Sequence, residues 1–128
     1  ELSTATFKDN SISVAGKYNI QLAERNVIPG VKKTFYNIVD QHNNALYEDI
    51  ALFESAMGII KGLMFNKIDV DKIVTLDERY ASHLSEAAMY KHKSRTIKEA
   101  YRKDVVIAKQ GNAISKMAQI KKQIKTLL

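Results

Sequence analysis

Three histidines, His42, His83 and His92, are the side chains that would titrate near neutrality unperturbed, so acid–base or metal chemistry has to start from them. None belongs to a recognisable constellation. His83 and Glu86 sit three residues apart on one helical face and could share a metal, but carboxylate-bridged metal bundles use Glu-x-x-His pairs with further glutamates, and here the order is reversed and unduplicated. A hydrogen bond or ion pair on a helix surface accounts for the same spacing. His42 falls on an apolar helical face and reads as a histidine at the edge of a core.

Asp69, Asp71 and Asp77 offer oxygen ligands at the kind of spacing a calcium loop uses. The match fails at Val74, where glycine must make the turn, and at Tyr80, where the bidentate carboxylate belongs. Capping of the following helix is the better account of these acids. The five glycines, Gly16, Gly30, Gly58, Gly62 and Gly111, match no phosphate-binding loop. Gly58 and Gly62 form Gly-x-x-x-Gly, read as a tight crossing between two soluble helices because Lys61 interrupts a span too short for a membrane. With no cysteine and no serine in a nucleophile elbow, the expectation is a protein without catalytic residues, metal or cofactor.

Charge is the strongest feature. Residues 1–88 carry nine Lys or Arg and twelve Asp or Glu, whereas residues 89–128 carry eleven Lys or Arg against Glu99 and Asp104. The net of +6 is thus the sum of −3 and +9. Such asymmetry points to a partner of opposite charge. On a continuous helix Arg95, Arg102, Lys109 and Lys116 recur every seven residues, with Lys91 and Lys98 as a neighbouring row, and all six share one face. This stripe is the expected binding surface for a partner or polyanion, with Tyr90 and Tyr101 near enough to offer stacking. A solvated lysine face explains the same residues without function.

The elements that would position these residues follow from the spacing of apolar side chains. Phe35, Ile38, Val39, His42, Ala45, Leu46, Ile50, Phe53, Met57, Ile60, Leu63 and Met64 recur at three- and four-residue steps after Pro29-Gly30, which predicts one amphipathic helix over about 31–65. Asn43-Asn44 marks the place where it would split. A shorter helix is expected over about 12–26. After a polar link at 66–71, Thr75-x-x-Glu78 has the form of a capping box. It would open a second long helix carrying Tyr80, Leu84, Ala87, Ala88, Tyr90, Ile97, Tyr101, Val105 and Ala108, up to a break at Gln110-Gly111-Asn112. The segment 114–128 then either continues that helix or forms its own, with Ile120, Ile124 and Leu127 as a narrow apolar seam among lysines. That seam suits a partner's groove or an anionic membrane surface; its plainer reading is the last helix of the bundle. The fold expected is all-α: an elongated three- or four-helix bundle built on a long antiparallel hairpin.

With 128 residues, 45% hydrophobic and 27% charged, the chain reads as a single helical domain over 1–128. Disorder, collagen and cysteine-rich zinc sites are excluded by this balance, and no apolar run approaches the roughly 20 residues of a membrane span. The chain opens at Glu1 and not methionine, as removal of a leader, a propeptide or a larger parent would leave it. The absence of cysteine leaves the compartment open. The reading that asks least is a non-enzymatic interaction module, a structural component of a larger bacterial or viral assembly. It would dock its basic last third on an acidic protein surface or associate with its own copies. The alternative is a sequence-independent nucleic-acid binder, architectural or coat, working through phosphate contacts. Contact with anionic membrane through the last helix is a third.

Overall fold

The computed structural model describes residues 11–97 and 100–128. It has an α+β fold, which corrects the all-α helical bundle expected from the sequence: a four-stranded antiparallel sheet is followed by three helices. Strands β1 (Ser11–Val14), β2 (Tyr18–Ile28), β3 (Val31–Asp40) and β4 (Ala45–Ile50) pair in chain order as a meander. The helices are α1 (Phe53–Phe65), α2 (Val70–Thr96) and α3 (Ala100–Leu127).

Three turns make the sheet. Ala15 and Gly16 both take positive φ, the pair of left-handed residues that a type I′ turn requires, and Lys17 N–H donates to the Val14 carbonyl across it. Ile28 pairs with Val31, so Pro29-Gly30 is a two-residue hairpin loop, not the boundary of a helix. Proline supplies the fixed φ and Gly30, at φ +82°, the left-handed position of a type II turn. A register shift between Asn26 and Ile28 lies beside it, consistent with a turn whose twist does not match that of the strands. At the third turn, Asp40 Oδ1 accepts from the backbone N–H groups of His42 and Asn44, and Asn43 takes φ +66°. These hydrogen bonds hold the exposed Asp40 carboxyl below its ordinary range. Hence Asn43-Asn44 ends a strand pair, and His42 is an exposed turn residue, not part of a core edge.

The long helix expected over 31–65 is real only from Phe53 onward, and the one expected over 12–26 is β1 and most of β2. The register sets Ile20 opposite Ile38 and Leu22 opposite Tyr36, and the same sheet face carries Val14 and Ile50 into the core. That alternation was hidden in β4, where two register shifts against β3 and the positive φ of Asp49 break the period of two. Ile38 and Val39 are both buried, which further mimics helical spacing.

One apolar core joins the sheet to all three helices: Ile20 and Ile38 from the sheet, Ile59 and Ile60 from α1, Ile73 from α2 and Ile124 from α3 are fully buried. α1 ends on Asn66 in the left-handed conformation, with its N–H on the Gly62 carbonyl. α2 then starts at the cap Asp69, whose side chain accepts from Lys72 N–H, so the helix opens a turn and a half earlier than Thr75-x-x-Glu78 implied. Thr75 lies inside α2 and donates its hydroxyl to the Asp71 carbonyl. α2 stops at Ile97, and α3 runs unbroken through Gly111. The dominant helical hairpin is therefore α2–α3, not a pair joined at 66–71.

Gly58 and Gly62 do mark a tight crossing. A Cβ on Gly58 would lie 2.8 Å from Ile73 Cδ1 and collide with Leu128; one on Gly62 would collide with Val70 and lie 3.2 Å from the Ile68 carbonyl oxygen. Because the second obstacle is backbone, Gly62→Ala should lower stability by about 2 kcal/mol. Gly111→Ala meets nothing within 4 Å in the middle of α3 and should raise it by about 0.5–1 kcal/mol. Urea unfolding of the two variants, with opposite signs expected, checks both.

Candidate functional site

The cationic surface is built on α2 and α3. In residues 88–112, the described charged side chains are Lys91, Lys93, Arg95, Arg102, Lys103 and Lys109, with Asp104 as the single acid among them. The two helices touch along a seam where small side chains, Ala87 and Ala113, are buried and let the backbones approach.

The predicted single stripe is divided by this hairpin. Because the chain reverses after Ile97, Lys91 and Arg95 belong to α2 whereas Arg102, Lys109 and Lys116 belong to α3; all five are exposed. Lys98 and the side chain of Tyr101 lie outside the described residues. Lys91 and Arg95 flank one side of the seam, beside Gln110, Ile114 and Met117. Lys109 and Lys116 flank the other, in a shallow hollow of about 200 Å³ shared with Glu86 and Tyr90. Residues seven apart on one continuous helix would have stayed together. Neither proline nor glycine marks the break.

On the Lys91/Arg95 side a groove of about 340 Å³ lies between α2, α3 and the start of β3. Its apolar lining is Val31 from β3, Leu84, Ala87 and Ala88 from α2, and Ile114 and Met117 from α3. Lys33, Lys91, His92, Arg95 and Gln110 complete it, and among the described residues that line it none is acidic and the His92 imidazole is the one aromatic ring. Ile114 is 49% exposed here, an aliphatic side chain left open to solvent. Val31 and Lys33 escaped the sequence reading because their approach to α2 is a long-range consequence of the β2–β3 hairpin. Only the Lys32-Lys33 doublet hinted at it. A wider hollow of about 620 Å³ at the hairpin tip is lined by Lys93, Ile97, Arg102, Val105 and Val106. It is open, and it adjoins residues outside the described set.

The apolar seam expected to meet a partner is used within the chain. Ile120 and Ile124 are buried in the core and Leu127 packs against it. Lys121 faces Glu54 of α1 at 4.0 Å, so the last helix turns its apolar side inward and pairs a lysine at the edge.

Among the other candidate groups, His83, Asp69 and Asp77 have structural partners. His83 Nδ1 lies 2.9 Å from Glu86 Oε1, the short-range pair that the spacing allowed. Asp69 caps α2, and Asp77, which the sequence grouped with it as a capping acid, does something different. Its buried carboxylate accepts from Ala51 N–H at 2.8 Å and Leu52 N–H at 3.1 Å, fixing the corner between β4 and α1. Burial pushes the Asp77 carboxyl above its ordinary value, against the opposing effect of these donors and of Ser55 close by, whose buried hydroxyl completes no hydrogen bond of good geometry. Among the described residues no three His, Cys, Asp or Glu side chains group as metal ligands, and no helix is long and apolar enough to cross a membrane. No protein family, curated protein or solved structure matches the chain.

Proposed function

We propose that this chain is a non-enzymatic interaction module, a structural component of a larger assembly, which docks on an acidic protein partner through its α2–α3 hairpin. The observation that carries the reading is the concentration of positive charge on one helical hairpin whose Lys91/Arg95 side is also apolar. Charge complementarity of this kind steers encounter and sets register, while apolar contact supplies affinity.

The nucleic-acid alternative is less well served by the geometry. A polyanion reads a continuous row of cations, but here Lys91 and Arg95 lie across the seam from Lys109 and Lys116. A rigid duplex meets one side at a time. Mixed-sequence DNA and RNA of equal length, titrated across salt, test this directly. Binding at 0.15 M salt should be weaker than about 10 µM, with a log–log slope no steeper than about −3. Submicromolar binding with a slope near −6 would overturn the protein-docking reading in favour of the polyanion, because about seven duplex phosphates would then be neutralised together.

A further inference from the structure

We infer that the groove between β3, α2 and α3 is a receptor for a short acidic segment of a partner protein that presents apolar side chains on one face. The inference rests on the acidic-partner reading above and goes beyond it by assigning the place and the chemistry of the docked segment. Charge alone would be satisfied anywhere on the hairpin. The groove differs from the hollow across the seam, which holds Glu86 and Tyr90, because its lining is apolar, from Val31, Leu84, Ala88, Ile114 and Met117, while Lys33, Lys91 and Arg95 share it with no carboxylate among the described residues that line it.

Its volume, about 340 Å³, is at the lower end of the range for ligand pockets and suits a few side chains, not a cofactor. Thioether and aliphatic walls adapt to leucine- or isoleucine-like anchors. Nucleic acid fits less well, since single-stranded binding relies on several aromatic platforms and, among the described residues that line the groove, the His92 imidazole is the one ring. A bilayer fits poorly because three elements wall the floor, and a flat surface reaches only the rim. A segment with apolar residues at i, i+3, i+4 and i+7 and acids elsewhere satisfies both halves of the groove at once.

The test uses the full chain and two labelled peptides of identical composition. One is a glutamate-rich helix former with leucines at those positions; the other scrambles the order. The amphipathic peptide should bind about tenfold more tightly than the scrambled one, and Ala88→Glu, which places a carboxylate on the floor, should remove that excess. Ile114→Glu, at a half-exposed position, gives the same readout if Ala88→Glu disturbs the fold. Lys91→Glu with Arg95→Glu should weaken both peptides. Equal binding of the two peptides, unaffected by Ala88→Glu, overturns the groove and leaves the acidic-partner reading standing. No binding of either peptide overturns both. Binding to phosphatidylglycerol vesicles that Ala88→Glu abolishes, with no peptide binding, overturns the groove assignment in favour of a lipid surface.

Discussion

Ile124→Asp should unfold this protein. Ile124 is fully buried and belongs to the cluster that joins the sheet to all three helices, with Ile20, Ile38, Ile59, Ile60 and Ile73 as equally buried members. Truncating such an isoleucine to alanine costs about 2–5 kcal/mol in lost transfer and cavity energy. A carboxylate is worse, because it must either remain charged without a partner or take up a proton, and each route adds several kcal/mol. The sum is comparable to the whole stability of a domain, about 5–15 kcal/mol. Urea unfolding at neutral pH, followed by circular dichroism, should show a loss of at least about 4 kcal/mol or no cooperative transition. Gln123→Asp, on the exposed neighbouring position, should stay within about 0.5 kcal/mol of the parent. A parental midpoint for Ile124→Asp would mean that the last turns of α3 do not close the core. By sequence, Ile124 stands in a seam that suits a partner's groove or, more plainly, the last helix of a bundle; its burial in the core assigns the effect of the substitution to folding.

The difference shows what the sequence made legible. Helical spacing was a sound guide wherever a helix has one buried face, so the regions of α2 and α3 were recognised, and Gly58 and Gly62 were placed at a crossing that their contacts with Ile73 and Val70 now explain. It misled in the strands. Phe35, Ile38, Val39 and Ala45 fall on three- and four-residue steps because β3 is buried at two successive positions and β4 is bulged, and a one-dimensional pattern cannot separate these from a helix. Pro29-Gly30 predicts a boundary between helices and is the loop of a hairpin, because two-residue loops and helix boundaries use the same residues.

Basic side chains on α2 and α3 were found because charge needs no fold to be counted. Their division onto two sides was not, since α2 ends at Ile97 with a backbone hydrogen bond to Lys93 and without a glycine or proline to announce it. The groove was invisible for a different reason. Its residues come from positions 31–33, 84–95 and 110–117, which only the tertiary fold brings together.

Asp77→Ala should cost about 3 kcal/mol, and its pH dependence should separate the hydrogen bonds it makes from the charge it buries. The carboxylate holds the N–H groups of Ala51 and Leu52, and α1, which begins just after them, has no side-chain cap of its own at Leu52. Alanine leaves two donors at a largely buried corner without acceptors, at about 1–3 kcal/mol for each. Burial raises the Asp77 carboxyl above its ordinary value of 3.8. The folded state therefore binds a proton more readily than the unfolded chain, so the stability attached to this group is complete below pH 3.8 and is lost as pH rises through the folded value. Asp77→Asn keeps an acceptor but does not titrate. Urea unfolding of the parent and Asp77→Asn at several pH values should show the parent losing stability relative to the asparagine variant as pH rises from about 4 toward neutrality. The opposite slope would mean that the two amide donors outweigh desolvation and depress the carboxyl. Asp77→Ala should be the least stable of the three throughout, because only it leaves the corner between the sheet and α1 without any acceptor from α2.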